Sequence, residues 1–174
     1  MSDGGNTQDP RRFSANAIHM VRTSQQIHVQ LSQMADQKAS ILMGATFVIF
    51  TIAIGQAHNG RAALPILILG GFAFFSAVFA VLAILPATRV RQTGPVNLLF
   101  FGSFARLEQD DYVDRVIDVL GTDEAVFRTM ASDIYQNGTV LARKKYRLLG
   151  YAYRILLVGL TCSALAFVWT IVSA

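Results

Sequence analysis

LPILILGGFAFFSAVFAVLAIL, from Leu64 to Leu85, runs for 22 residues without one Asp, Glu, Lys, Arg or His. A helix needs about 20 apolar residues to cross the hydrocarbon core of a bilayer. Two more runs of the same kind flank it: ASILMGATFVIFTIAIGQA from Ala39 to Ala57, and ILLVGLTCSALAFVWTIV from Ile155 to Val172. Three such runs in 174 residues predict an all-α membrane protein. We place its spans at 39–57, 64–85 and 153–172. His58-Asn59-Gly60 signals a turn between the first two, and Pro65 falls in a first helical turn, where its missing N–H costs little. Pro86 closes the second span. The first two spans therefore form a helical hairpin, to which the third is added.

Composition agrees with this reading. The chain is 53% hydrophobic and 15% charged, against roughly 25% charged residues in soluble domains. Its length allows one domain or two small ones. The single cysteine, Cys162, excludes an internal disulfide framework and zinc sites built on cysteine pairs. Residues 1–38 are polar, with no early apolar core of a cleaved signal, so the first span acts as its own insertion signal.

Orientation follows from the cations. Arg11, Arg12, Arg22 and Lys38 precede the first span, and nine more lie between the second and third, from Arg89 to Arg147. The loop between spans one and two carries Arg61 alone. The positive-inside rule puts the N-terminus and the 86–149 segment in the cytoplasm and the C-terminus on the far, periplasmic side of an inner membrane.

The polar segments carry helical signals. Residues 1–12 read as a disordered terminus and 13–38 as an amphipathic helix. Steps of four and three from Phe13 give Phe13, Ala17, Met20, Ser24, Ile27, Leu31, Met34, Lys38 and Ile41, of which seven are apolar. This heptad stripe runs into the first span. Met20, Ile27, Leu31 and Met34 form its seam, either against the chain's own cytoplasmic helices or as a self-associating stalk. In 86–149, Val113, Val116, Ile117 and Leu120 line one face of a helix from about Ser103 to Leu120, which Gly121 stops. Thr122 caps the next helix, with Asp123 and Glu124 in its first turn and Phe127, Met130, Ile134 and Leu141 along one face. Residues 89–101 read as an irregular connector. The expectation is a small cytoplasmic bundle of three helices, two of them continuous with spans.

Catalytic motifs are missing. His19, His28 and His58 cannot assemble a metal site at their spacing, and no phosphate loop, GxSxG elbow or HExxH is present. No metal, cofactor or catalytic residue is expected. The acids between Glu108 and Glu124 read as a solvated face. A coupled transporter would keep ionisable groups inside its spans, and the apolar runs 39–57, 64–85 and 155–172 hold no Asp, Glu, Lys, Arg or His. The basic cluster Arg143-Lys144-Lys145-Tyr146-Arg147 suits a juxtamembrane anchor on anionic lipid. It also suits the phosphate of a nucleotide, with Tyr112, Tyr135 or Tyr146 stacking on a base. We take Arg143, Lys144, Lys145 and Tyr112 as candidate ligand contacts.

Ala35-Asp36-Gln37-Lys38-Ala39-Ser40-Ile41-Leu42, at the mouth of the first span, resembles the ADxKAS motif of the Pycsar transmembrane effectors. Phe100-Phe101-Gly102 with Tyr112, Asp133-Ile134-Tyr135, Lys145-Tyr146-Arg147-Leu148-Leu149 and Ala152-Tyr153 extend the resemblance over about residues 25–165. It implies a ligand-switched effector of bacterial antiphage defence, not an enzyme. In such a system a neighbouring pyrimidine cyclase makes cyclic CMP or cyclic UMP, the effector responds, and the inner membrane loses integrity in an abortive infection. The partners implied are the bilayer, that nucleotide, the cyclase and further copies of the chain, with no nucleic acid polymer. Two other classes fit three spans: a holin-like constitutive pore former, and a membrane scaffold that docks a soluble partner. A bare pore former has no need of the 86–149 segment.

Overall fold

The computed structural model describes residues 12–58, 63–85 and 96–173. The expected disordered terminus up to residue 11, the turn at 59–62, and Pro86 with most of the connector, through residue 95, lie outside the described residues. All regular structure among the described residues is helical. The elements are α1 (Ala17–His58), α2 (Leu64–Ile84), α3 (Phe101–Phe104), α4 (Gln109–Leu120), α5 (Asp123–Val140), a π-helical turn (Leu141–Tyr146) and α6 (Arg147–Val172). Three helical stretches are long and apolar enough to cross a membrane: α1, α2, and the uninterrupted helix from Asp123 to Val172.

The chain forms two compact units. Among described residues, one comprises 12–27 and 96–136, and the other 28–58, 63–85 and 137–173.

The larger unit packs α1, α2 and α6 through small side chains. Ala73, Ser76, Ala80 and Ala83 of α2 are buried at three- and four-residue spacing, as are Ala35, Ala39, Leu42 and Thr46 of α1. Lipid tails are as apolar as leucine, so helix association in a bilayer rests on close packing and interhelical hydrogen bonds. Both are present. Ala35, Ala39, Leu42, Ala80, Ala83, Leu149 and Ala152 form one core. A Cβ on Gly70 would overlap that of Ala53, and one on Gly159 that of Phe72. The Ser76 hydroxyl donates to the Ala152 carbonyl at 2.8 Å, and that of Ser163 to the Pro65 carbonyl at 2.8 Å. Thr46, Thr51, Thr161 and Thr170 donate to carbonyls one turn back in their own helices, so these four hydroxyls need no water. Tyr151 and Tyr153 near one end of α6 and Trp169 near the other are exposed. At 1.5 Å per residue they stand about 24–27 Å apart, which suits aromatic belts at two membrane–water interfaces.

The smaller unit differs from expectation in two places. The helix expected from Ser103 to Leu120 is broken: α3 ends at Phe104, and α4 begins after Glu108, whose backbone is extended at φ −65° and ψ 151°. Asp110 and Asp111 in the first turn of α4 favour a helix N-terminus there. The apolar face of α4 is also uncovered, with Val113, Ile117 and Leu120 exposed and only Val116 partly buried. The start of α5 follows expectation: the Ala125 N–H donates to the Thr122 hydroxyl at 3.2 Å.

Candidate functional site

In the larger unit, the stretch after Leu31 on α1 faces the residues around the π-helical turn. Ala35 and Ala39 are buried, and their lack of bulk lets the two backbones approach. Polar groups close the contact on either side. The Lys145 ammonium donates to both oxygens of Asp36 at 2.7 Å and to the Ser32 hydroxyl at 2.8 Å. The Tyr146 hydroxyl donates to the Leu31 carbonyl at 3.2 Å, and that of Tyr153 to the Lys38 carbonyl at 3.3 Å. Lys144 turns to α2, donating to the Leu85 carbonyl at 2.8 Å. That carbonyl lies just past the end of α2, where helix carbonyls lack N–H partners and a cation is favourable.

Both lysines lie within the π-helical turn, Leu141–Tyr146. It holds one more residue than an α-helical turn, so side chains on either side of it change register. The adjacent lysines serve two different helices, α2 and α1. Such turns occur frequently at functional sites.

The ligand contacts expected from sequence separate accordingly. Lys144 and Lys145 are committed to bonds within the protein. Arg143 is exposed and makes no hydrogen bond or ion pair among the described residues, and Arg147 and Arg154 are exposed too. Tyr112 belongs to the smaller unit, where its ring packs on Phe104 at 4.7 Å and its hydroxyl donates to the Leu98 carbonyl at 3.4 Å. Of the expected seam, Leu31 is half-buried, whereas Met20, Ile27 and Met34 are exposed. The face that α1 turns to its own chain is the adjacent one.

A further polar cluster in the smaller unit escaped sequence reasoning. The buried Asn97 amide donates to Asp133 at 3.0 Å and to Gln136 at 3.0 Å, and Gln25 donates to Asp133 at 3.5 Å. The Asn97 side-chain oxygen accepts from the Leu99 N–H at 2.9 Å, and its backbone N–H donates to the Ser103 hydroxyl at 2.9 Å. The cluster pins the 97–103 segment to α5. Its one sequence signal was an asparagine set between Val96 and Leu98.

The model of the Pycsar effector protein domain, PycTM, matches residues 19–172. This chain belongs to the Pycsar effector family. No curated protein and no solved structure gave a match. Two of the stretches that carried the sequence resemblance, Ala35–Leu42 and Lys145–Leu149 with Ala152-Tyr153, meet around the Asp36–Lys145 contact. Within this Pycsar effector, those motif residues act on each other.

Proposed function

We propose that this Pycsar effector resides in the bacterial inner membrane, responds to cyclic CMP or cyclic UMP from a partner pyrimidine cyclase, and disrupts the membrane so that the infected cell dies before phage matures. The observation that carries this reading is the family match over residues 19–172, on a chain with three membrane-length helices. The N-terminus and the 86–149 segment lie in the cytoplasm, where the nucleotide is made, and the C-terminus lies in the periplasm. The effector works by a shift between two arrangements and not by catalysis. A ligand shifts that balance by as much as its affinities for the two states differ.

Arg143, Lys144 and Lys145 are the proposed phosphate contacts. Arg143 is open to solvent. A phosphate reaching Lys145 would compete with Asp36, and loosening that contact bears directly on the packing of α1 against α6.

The test is dye uptake into cells that express the chain at low level, with an active pyrimidine cyclase or a catalytically dead one. Uptake with the active cyclase alone is the expected result. Uptake with both would support a constitutive pore former. The exposed face of α4 favours a scaffold as the second reading, and no uptake with either, the protein being in the membrane, would support it.

A further inference from the structure

Two apolar stripes run along α1, and the chain covers one of them. The covered stripe includes Val21, Ala35, Ala39, Leu42, Thr46 and Ala53. The other is Met20, Ile27, Met34, Ile41 and Val48, exposed by 72%, 48%, 47%, 63% and 56%. Its members are seven apart and stand about 100° round the helix from the residues that follow them. A strict seven-residue repeat drifts about 20° per heptad on a straight α-helix, and it stays on one line when two helices wind round each other with left-handed twist.

The course of this stripe says what covers it. Met20, Ile27 and Met34 lie on the polar segment, and Ile41 and Val48 lie in the first apolar run. Lipid tails can cover the second group and not the first. A soluble protein can cover the first group but cannot follow the stripe into a bilayer. One partner that covers the whole length must pass from water into the membrane beside α1 at the same depth. A second α1 does so by construction, since copies inserted in one orientation are parallel and level. Charge permits it. Thr23, Gln30 and Gln37 flank the stripe on one side without charge, and Arg22 lies on the opposite face of the helix. Lys38, the one charge beside the stripe, sits at the mouth of the span, where a long side chain can reach toward head groups.

We infer that the Met20–Ile27–Met34–Ile41–Val48 stripe is a parallel, in-register interface between the α1 helices of two copies of this chain. The inference rests on the membrane placement proposed above and is independent of nucleotide and cyclase.

Single cysteines test it in a Cys162→Ser background: Ile27→Cys, Met34→Cys and, as control, Val29→Cys, which is equally exposed on another face. Each is oxidised in native membranes, with and without cyclic CMP or cyclic UMP. Same-residue Cα atoms in a parallel coil lie about 6 Å apart, within disulfide reach. The expected result is covalent dimer at 27 and 34 on the order of tenfold above that at 29, which stands about 200° away round the helix. Three results would overturn the interface: equal dimer at all three positions, adducts to a different protein, or no dimer at 27 and 34 in either condition. Dimers without cyclase-dependent dye uptake would retire the effector reading and keep the interface. Uptake without dimers would do the reverse.

Discussion

Lys145 and Asp36 stand 109 positions apart in sequence and meet at 2.7 Å. The pair is partly buried, with about a fifth of the lysine side chain and two-fifths of the aspartate exposed. Its worth lies mainly in the hydrogen bonds that each charge would lose if the other were removed. Lys145→Met should therefore lower stability by roughly 1–3 kcal/mol. Asp36→Asn should cost less, because an amide oxygen still accepts from the ammonium. Together the two changes should cost less than their sum, since each removes the same contact. Thermal unfolding of detergent-solubilised protein reads all three, and strict additivity would show that the two side chains do not interact. From sequence, Lys145 was one of four basic residues in a cluster, with nothing to separate it from Arg143 or Lys144. Its place in the helix packing, opposite Asp36 and Ser32 of α1, singled it out.

At the scale of the element, three adjacent observations set the helix contacts. Gly70 and Gly159 lie where Cβ atoms would overlap Ala53 and Phe72, whereas a Cβ on Gly71 meets nothing within 4 Å. Gly70→Val and Gly159→Val should each destabilise by about 1–3 kcal/mol through overpacking. Gly71→Ala should be neutral or mildly stabilising, by up to about 1 kcal/mol of helix propensity. Loss of the folded, monodisperse species on heating in detergent would follow that order. Equal effects at 70 and 71 would count against the close α1–α2 crossing. The break between α3 and α4 belongs to this scale too. A continuous apolar pattern concealed it, because hydrophobic spacing records which residues are apolar and not where the backbone of Glu108 turns extended.

For the whole molecule, the prediction concerns sidedness. With Cys162 replaced by serine, a cysteine at Ser14 should resist a membrane-impermeant thiol reagent applied to the periplasmic face, and one at Ser173 should react. The asymmetry of Lys and Arg across the spans requires that result. Labelling at Ser14 with protection at Ser173 would invert the topology and place the 86–149 segment away from any cytoplasmic nucleotide.

Much of this was legible in one dimension. Length and apolarity mark a span wherever a helix must satisfy its own backbone in lipid, so three spans and an all-helical fold needed no partner to be read. Thr122 likewise announced the start of α5, because capping acts within a few residues. The order of motifs around the spans was enough to suggest the family that the domain match then showed. The choice between the two stripes of α1 was not legible. Met20 and Val21, or Met34 and Ala35, are apolar neighbours about 100° apart on a helix, and periodicity favours the larger residues. Packing chose the smaller ones, Ala35 and Ala39, because backbones in a bilayer gain most where side chains let them come close. That choice depends on the shape of α6, and so does the pairing of Lys145 with Asp36. Pattern along the chain thus determined which segments are helices and which of them suit a membrane, while the faces they use were decided only when the helices met.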